Sequence, residues 1–393
     1  MGTDSLPLSH IKVLDLTRVR AGPACVRQFA DFGADCIKIE ITGDQGDGYS
    51  DGRHLGDFQN LHRNKRSMQL NLKADEGKKI FFALARNADV IVENYRPDVK
   101  HRLGIDYEAV AKINPRIIYA SISGFGQDGP YANRPGVDQI AQGMSGLMSV
   151  TGLPGQGPVR AGAALGDMSA GLFAALGIMM ALVEREKSGK GQWLHTSLWE
   201  ALTTMMDFQA AAWLFDGKVP GQAGNNHPKS IPTGAFRTKD GHINIGAAGD
   251  IAWQRLLKVM NDEALSANPD YTTGEGRLKH RDAVNEALEA NFMTQTTAHW
   301  VEAMNAAGIP CGPIYKMDQV FDDPQMKHLG LAADIEHPVV GKRQVVGQPI
   351  HMSRTPWAMR RVTPEAGEHT REILRDLGYA DADIEKLYSE GVV

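Results

Sequence analysis

Residues 11–40 read IKVLDLTRVRAGPACVRQFADFGADCIKIE, in which two short apolar runs flank a helical pattern. The runs are Ile11–Thr17 and Cys36–Glu40, and the helical pattern between them is Ala24–Phe32. The alternation continues with a further helical pattern and two further runs at Glu76–Ala88, Val90–Asn94 and Ile117–Ser123. Short β-branched runs that alternate with helices are typical of βαβ units. The sequence therefore predicts an α/β fold with a parallel sheet.

The rest of the chain predicts a second, smaller domain. Two long helices are expected at Met168–Lys187 and Trp193–Leu214, after which Gly, Pro and Asn interrupt the helical period. The predicted organisation is a large domain at 1–215 completed by 330–393, a linker at 216–232, a small α+β domain at 233–318 and a return linker at 319–329.

Composition and charge favour a globular protein that binds neither nucleic acid nor membrane. The chain has 393 residues, of which 42% are hydrophobic, and a net charge of −5 with both signs interspersed. We expect no signal peptide at Met1–Pro7 and no run of roughly 18 apolar residues that could span a membrane. Cys25, Cys36 and Cys311 show no C-x-x-C spacing, which argues against disulfides and structural zinc. We therefore predict a cytoplasmic protein with buried thiols and no metal site.

Motifs of several common enzyme classes are missing from the sequence. It contains no P-loop, no G-x-S-x-G elbow and no H-E-x-x-H motif. Gly124–Gly129 fits G-x-G-x-x-G, but the segment Pro130–Pro135 cannot open the helix that would bind a pyrophosphate. The residues that remain point to carboxylate chemistry.

Two aspartates are candidates for that chemistry. Asp167 lies between a small-residue loop and the first long apolar helix, so it is either the N-cap of a helix starting at Met168 or a catalytic carboxylate. Asp138 allows the same alternatives, as a second active-site carboxylate or as the cap of a helix that runs through Met144. Local sequence favours the N-cap for Asp167, because Asp is a preferred residue there.

Short phrases with a common order run along the whole chain, at Val13–Arg18, Ala21–Pro23, Gly33–Glu40, Asn64–Met68, Glu93–Pro97, Ser121–Gly126, Gly166–Asp167, Gly189–Gln192 and Gly367–Thr370. Together they resemble the class III CoA-transferases, the CaiB/BaiF family, whose relatives include formyl-CoA transferase and 2-methylacyl-CoA racemase. The resemblance implies a Rossmann-like large domain, a smaller α+β domain and an interlocked homodimer. It also implies that Asp167 is the catalytic aspartate, while a cap role can hold at the same time.

The implied activity is transfer of CoA from an acyl-CoA thioester to a free carboxylic acid, among which a short dicarboxylate is one candidate. A carboxylate that attacks the thioester forms an acyl-aspartyl anhydride and expels the CoA thiolate. Backbone N–H groups at the start of the Asp167 helix are expected to stabilise the oxyanions. Coenzyme A enters as substrate, and no permanently bound cofactor is required.

The resemblance also implies a set of CoA contacts, namely Val19, Arg20, Leu70, Asn71, Leu72, Lys73, Asn94, Tyr95, Arg96 and Arg102. Lys73, Arg96 and Arg102 would neutralise phosphates, and the backbone of Leu70–Leu72 would bond the adenine edge. For any one of these cations the alternative is an ordinary solvated surface residue.

Two other functions remain open. Family racemases resemble Gly-His-Asp where this chain has Gly136-Val137-Asp138, and an aliphatic side chain cannot exchange a proton, so Val137 disfavours racemisation. A CoA-binding module without turnover is the further alternative. The loop 221–228 lacks the glycine run of the oxalate-specific transferases, so oxalate specificity is not supported. Asn226 and His227 in this loop are candidates for contact with the acceptor carboxylate, although a lone histidine in a loop is usually only a solvated residue. Arg20 is the other candidate, because a guanidinium can hold a distal carboxylate bidentately.

Overall fold

The structure, a computed structural model, describes residues 6–43 and 52–393. The chain divides into two compact units. The first comprises the residues up to Leu147, together with Arg160–Lys218 and Lys327–Val393. The second comprises Met148–Val159 and Val219–Met326.

Strands and helices alternate along the first part of the chain. The strands are β1 (Lys12–Asp15), β2 (Asp35–Glu40), β3 (Arg66–Gln69), β4 (Val90–Glu93), β5 (Ile118–Ser123), β6 (Gln192–Ser197), β7 (Thr233–Arg237), β8 (His242–Gly246), β9 (Cys311–Pro313), β10 (Ala332–His337) and β11 (Gly341–Val346). The α-helices up to the second unit are α1 (Ala21–Asp31), α2 (Gly56–His62), α3 (Asp75–Arg86), α4 (Pro97–Leu103), α5 (Tyr107–Ala111), α6 (Asp138–Met144), α7 (Leu147–Val150), α8 (Leu165–Ser188), α9 (Leu198–Met205) and α10 (Asp207–Asp216). The later ones are α11 (Asp250–Met260), α12 (Glu263–Ala267), α13 (Gly274–Lys279), α14 (Arg281–Phe292), α15 (Thr297–Ala306), α16 (Met317–Asp322), α17 (Pro324–Leu329), α18 (Thr370–Asp376) and α19 (Asp381–Ser389).

Six of the strands in the described residues form a parallel sheet in the order β3-β2-β1-β4-β5-β6. Val13 of β1 lies opposite Cys36 of β2 on one side and Val90 of β4 on the other. The strand order therefore reverses between β1 and β4, as in Rossmann-type sheets. The predicted α/β fold with a parallel sheet is confirmed.

The sheet is covered on both faces because side chains alternate along each strand. Val13, Val90 and Ile118 point into a core that they share with α1 and α8. Leu14 and Ile91 point into a second core, which is completed by α3, α18 and α19. The C-terminal helices thus bury their apolar side chains in the first unit, to which the sequence assigned residues 330–393.

Helix α8 is the central helix of the first core. It packs along α1, and a Cβ atom at Gly171 would come within 2.5 Å of the Ala21 carbonyl oxygen, so only glycine allows this approach. In the described part of the chain α8 is the one helix long and apolar enough to cross a membrane, and half of its apolar window is buried. The expectation that no segment reaches this length was therefore wrong, because a core helix and a membrane span can share one composition.

The predicted helix Trp193–Leu214 is wrong for its first five residues and confirmed from Leu198 on, where α9 and α10 lie. Its first residues belong to strand β6, in which Trp193 lies opposite Tyr119 of β5 and donates a hydrogen bond from Nε1 to Ser121 Oγ at 3.0 Å. The strand ends at Ser197, whose side chain accepts from the Glu200 N–H and caps α9. Pairing with β5 overrides local helix propensity here.

The second unit has its own core and an antiparallel sheet in the order β7-β8-β9. Arg277 is buried within it and donates to the carbonyl oxygens of Ile231 and Ala248. Gln222 Nε2 donates to the Thr151 and Gly157 carbonyl oxygens. These bonds explain why residues 148–159, which the sequence placed in the large domain, group with the second unit.

Three smaller expectations differ from the structure. Most of the predicted return linker is helical, in α16 and α17. An Asp at position 75, before the helical pattern of Gly77–Asn87, predicts an N-cap, but α3 begins at Asp75 itself and Ala74 occupies the cap position. Cys25 and Cys36 are buried, whereas Cys311 is only half-buried, and all three thiols are free.

Candidate active site

Asp167 lies in the first turn of α8 but does not cap it. The helix begins at Leu165, and Ala164 holds the N-cap position without a side-chain bond. Among the described residues, no group donates a hydrogen bond to the Asp167 carboxylate. The prediction that Asp167 is the N-cap is therefore wrong, and both oxygens of this carboxylate can still accept hydrogen bonds or react.

Asp138 caps α8 from outside the helix. Its Oδ1 accepts from the N–H groups of Gly166 at 2.8 Å and Asp167 at 3.4 Å. Its Oδ2 accepts from Gln142 Nε2 at 2.8 Å and from a guanidinium nitrogen of Arg160 at 3.3 Å. The idea that Asp138 caps its own helix is wrong, because α6 begins at Asp138 and carries no side-chain cap. Asp138 acts instead on the helix that bears Asp167.

The start of α8 does not supply the predicted oxyanion donors. The Gly166 and Asp167 N–H groups donate to Asp138, and the Leu165 and Met168 N–H groups donate to the carbonyl oxygens of Ala163 and Ala164. All four groups therefore already have acceptors within the chain.

The Asp167 carboxylate is unusually basic. Its pKa is raised to about 6, mainly by burial and in addition by the negative charge of Asp138, while the positive charge of Arg20 opposes both effects. Desolvation and a neighbouring like charge both disfavour an ionised carboxylate. Near neutral pH the group is mostly ionised, and a more basic carboxylate is a stronger nucleophile.

Asp167 opens into a cavity of about 520 Å³ in the first unit. Three loops that follow the carboxyl ends of β1, β4 and β5 form most of its lining, through Arg18–Ala21, Asn94–Arg96 and Ser123–Gly124. Arg18 N–H donates to Asn94 Oδ1 at 2.8 Å, and Asn94 Nδ2 donates back to the Arg18 carbonyl oxygen at 2.7 Å. The cavity therefore lies where the strand order reverses, the usual ligand position in open α/β sheets.

The structure brings together seven of the predicted site residues around this cavity, namely Val19, Arg20, Asn94, Tyr95, Arg96, Asp138 and Asp167. Val19 has a backbone φ of 64°, which a β-branched residue rarely adopts. Such strained residues are typical of ligand sites. The first loop is thus held in one conformation beside Asp167.

The remaining residues predicted to contact CoA lie outside this cavity. Leu70–Lys73 follows β3 at the same carboxyl edge of the sheet, and the Leu70 and Leu72 side chains are buried in the second core. The Leu70 N–H donates to the Glu40 carbonyl oxygen and the Asn71 N–H to that of Val392, so neither is free to bond adenine. Lys73 is exposed. Arg102 is exposed and pairs with Asp98 at 3.1 Å.

Sequence reasoning missed two acidic residues that hold the cavity loops. Glu93 is fully buried, pairs with Lys100 at 3.2 Å and accepts from the Tyr95 N–H at 2.8 Å. Asp57 of α2 pairs with Arg20 at 2.6 Å. The sequence signal for Glu93 is an acidic residue at the end of a buried strand, whereas nothing in the local sequence distinguishes Asp57.

Asn226 and His227 belong to the second unit. Asn226 Oδ1 accepts from Asn285 Nδ2 at 2.9 Å. His227 Nδ1 accepts from the N–H groups of Lys229 and Ser230, at 3.1 and 3.0 Å. These bonds organise the turn before β7, and the predicted substrate contact stays a prediction.

One cluster in the described residues has ligand atoms close enough for a metal ion. It consists of His101, Asp106 and Glu108, with the atoms within 4.8 Å of one another. Asp106 already accepts from the Ala109 N–H as the cap of α5 and faces His101 at 3.3 Å. None of the three lines the Asp167 cavity.

Comparison with known proteins places this architecture in a family. The model of CoA-transferase family III matches residues 8–370. The succinyl-CoA:glutarate CoA-transferase of Mus musculus is 38% identical over 98% of this chain and 90% of its own length. The acetyl-CoA:oxalate CoA-transferase of Acetobacter aceti is 38% identical over 81% of this chain and 83% of its own. A crystal structure of a CaiB/BaiF family protein from Brucella suis is 31% identical, with a TM-score of 0.84 over 95% of this chain and all of its own. The chain therefore belongs to CoA-transferase family III and is a CoA-transferase.

Proposed function

We propose that this protein transfers CoA from an acyl-CoA to a free carboxylate, with a dicarboxylate as acceptor, through a covalent intermediate on Asp167. The observation that carries the proposal is the Asp167 carboxylate itself. It has no hydrogen-bond donor among the described residues, has a pKa of about 6 and opens into an arginine-lined cavity. The acceptors named for two relatives, glutarate and oxalate, support the dicarboxylate class.

The proposed cycle conserves the thioester through two anhydrides. An Asp167 oxygen attacks the thioester carbonyl carbon, the C–S bond breaks, and CoA leaves as a thiolate. The thiolate then attacks the Asp167 carbonyl carbon of the anhydride and releases the donor acid as its carboxylate. The acceptor carboxylate attacks the resulting aspartyl thioester and expels the thiolate. Attack of the thiolate on the acceptor carbonyl carbon of the second anhydride yields the new acyl-CoA and regenerates Asp167.

The CoA moiety is proposed to lie along the carboxyl edge of the sheet. Its thioester would enter the Asp167 cavity beside Val19 and Tyr95. Arg96, with an exposed side chain at the same cavity, and the exposed Lys73 and Arg102 would neutralise phosphates. The carboxyl ends of β1, β3 and β4 meet at this one edge, which supports a single extended site.

The test combines product analysis with trapping. Purified protein is incubated with a panel of acyl-CoA donors and of mono- and dicarboxylic acids, and new thioesters are identified by mass. Hydroxylamine or borohydride traps the activated aspartyl group, and peptide mapping locates it. We expect adducts at Asp167 and loss of transfer by at least about 1,000-fold in Asp167→Asn, because the amide is not a nucleophile. Normal turnover in this variant would refute the proposal.

The racemase alternative lacks one of its two proton-transfer partners, the histidine, in this cavity. Val137 lines it, and no histidine of the described residues does so. Exchange of the α-hydrogen of a branched acyl-CoA for deuterium without CoA transfer would favour racemisation. Tight CoA binding without any adduct at Asp167 would favour the non-catalytic module.

We also propose the interlocked homodimer and a cytoplasmic location. Helices α8 and α10 expose large apolar side chains, among them Met180, Val183, Leu214 and Phe215, the last with 93% of its surface accessible. Met180 and Val183 are three positions apart and so share one face of α8, and exposed apolar patches mark protein interfaces. A second copy of the chain is the partner that the family resemblance implies.

A further inference from the structure

The charges that line the Asp167 cavity are not balanced. Among its described lining residues are three arginines, Arg18, Arg20 and Arg96, and two carboxylates, Asp138 and Asp167. Asp138 already accepts four hydrogen bonds, and Asp167 is the proposed nucleophile. The cavity therefore offers cationic groups to a substrate that brings negative charge of its own.

Arg20 is the arginine best placed to act next to the reacting carboxylate. Arg20 and Asp167 line the same cavity, and the positive charge of Arg20 lowers the pKa of Asp167 against the effects of burial and Asp138. Arg96, by contrast, pairs with Asp98 and is 61% exposed.

The backbone that carries Arg20 is fixed on both sides. Before it, Val19 has a φ of 64° and the Arg18 backbone exchanges two hydrogen bonds with Asn94. After it, α1 begins at once, and Gly22 lies so close to the Thr17 side chain that a Cβ atom would overlap it. The Arg20 side chain therefore projects from a rigid turn at the cavity.

The present partner of Arg20 is a replaceable carboxylate. One guanidinium nitrogen donates to Asp57 Oδ2 at 2.6 Å, and the two side chains are 31% and 48% exposed. Within residues 6–43 and 52–393 no other acceptor is bound to this guanidinium. A guanidinium has five N–H donors in a fork that fits a carboxylate, and an exposed ion pair contributes little stability. A substrate carboxylate can therefore displace or join Asp57 at small cost.

We propose that Arg20 binds the distal carboxylate of a short dicarboxylic substrate while the proximal carboxylate faces Asp167, and that Asp57 occupies Arg20 when the site is empty. This assignment rests on the proposed function and adds the residue that selects the substrate class. A monocarboxylate of equal length has no distal carboxylate to bind Arg20. Arg20 would then stay paired with Asp57 and would add nothing to the affinity for that acid. The pair thus discriminates by charge rather than by size.

The test compares two acceptors of the same shape with and without the distal charge. Butyryl-CoA serves as a fixed donor, and glutarate and its monoamide glutaramate serve as acceptors. Reactions run at pH 8.5, so that Asp167 stays ionised even where the loss of Arg20 raises its pKa. In Arg20→Gln we expect the KM for glutarate to rise about 10- to 100-fold, the range of a charged hydrogen bond, with little change for glutaramate. In Asp57→Asn we expect the KM for glutarate to fall several-fold.

Matched controls separate this role from a general loss of charge. Arg371 and Glu385 form another exposed pair, at 2.5 Å, outside the cavity, so Arg371→Gln and Glu385→Gln should leave both KM values unchanged. Arg20→Lys should restore part of the glutarate preference. The assignment would be overturned if the ratio of the KM for glutarate to the KM for glutaramate were the same in Arg20→Gln as in the wild-type protein. An equal loss with both acceptors and a raised KM for butyryl-CoA would also overturn it, since Arg20 would then hold CoA.

Failure of the proposed function has a different signature. It would appear as absence of adduct at Asp167 and of transfer in the wild-type protein with every donor. In that case the role of Arg20 can still be tested by calorimetry, which measures the binding of glutarate and of glutaramate to the wild-type protein and to Arg20→Gln. Tighter glutarate binding that depends on Arg20 supports the assignment, and equal binding of both ligands contradicts it.

Discussion

At the scale of the residue, the two aspartates of the site differ in their hydrogen bonding. Asp138 uses its oxygens to bond Gly166, Gln142 and Arg160, and Asp167 is left without donors among the described residues. The charge of Asp138 in turn raises the pKa of Asp167. The hydrogen-bonded carboxylate of Asp138 therefore keeps its neighbour Asp167, the proposed nucleophile, basic.

The first prediction concerns pH. Since only the ionised carboxylate attacks, kcat/KM for the acyl-CoA should fall about tenfold per pH unit below an apparent pKa near 6. The measurement is a profile from pH 4.5 to 9 with a fixed acceptor. Asp138→Asn removes the neighbouring negative charge. In this variant the fall of kcat/KM at acidic pH should therefore begin at a lower pH. A flat profile through pH 6 would contradict the assigned pKa.

The second prediction concerns stability. The pKa of Asp167 is raised in the folded state, so its contribution to stability is fully present below the unfolded value of 3.8 and is lost as pH rises through about 6. Asp167→Asn, which is neutral at every pH, should therefore be more stable than wild type above pH 6, by on the order of 1 to 2 kcal/mol after allowance for solvent screening. Urea unfolding at pH 4 and pH 8 checks this. The prediction would be contradicted if the difference in stability between Asp167→Asn and wild type were the same at both pH values.

At the scale of the element, the important contact joins the start of α6 to the start of α8. The first N–H groups of a helix need acceptors, and the cap residue of α8, Ala164, has no side-chain acceptor to offer. Asp138 supplies one from α6, and Gly166 is packed so closely that a Cβ atom there would lie 3.1 Å from Asp138 Oδ1. The position of Asp167 thus depends on a side chain from a different helix.

The third prediction follows from this contact. Asp138→Ala leaves the buried Gly166 N–H without its acceptor and should lower the free energy of unfolding by about 1 to 3 kcal/mol. Asp138→Asn keeps an acceptor oxygen at the same place and should lose less. Comparison of the two variants with each other by thermal unfolding isolates the capping effect, because both lack the Asp138 charge and therefore affect the pKa of Asp167 in the same direction. The cap is not needed if alanine and asparagine give the same stability as wild type.

At the scale of the whole molecule, the two units have separate cores, and the first exposes apolar side chains on α8 and α10. Leu214 and Phe215 are 82% and 93% accessible at the end of α10. Burying such side chains against a second copy would remove apolar surface from water, at about 25 cal/mol per Å². Isolated exposed residues would not require this explanation, but the exposed Leu172, Leu176, Met180 and Val183 recur every three or four residues and so share one face of α8.

The fourth prediction is therefore a dimer. Light scattering should give twice the chain mass of 42.8 kDa for the wild-type protein. Phe215→Glu should lower the yield of dimer or produce a smaller species, because a charge would be buried. Ile251→Glu, at an exposed apolar residue of the second unit, is the matched control and should leave the mass unchanged. A wild-type mass of one chain would contradict the proposed assembly.

Sequence alone was sufficient for features that depend on nearby residues. The apolar runs at β1, β2, β4 and β5 and the pattern of α3 predicted the α/β sheet, because strand and helix periods are local. The order of short phrases identified the family. The same reasoning misread Trp193–Ser197 as helix, since pairing with β5 decides that segment, and took Asp167 for a cap, since the helix starts two residues earlier.

Only the tertiary structure decided which groups meet. Asp138 and Asp167 are 29 positions apart and Arg20 and Asp57 are 37 apart, and the sheet order and helix packing bring each pair together. These contacts determine which N–H groups are satisfied, raise the pKa of Asp167 to about 6 and set Arg20 apart from the other cations. The sequence by itself determined the residue types and the family chemistry. The electrostatics of the site needed the fold, because charge interactions and desolvation depend on distance and burial in space rather than on separation along the chain.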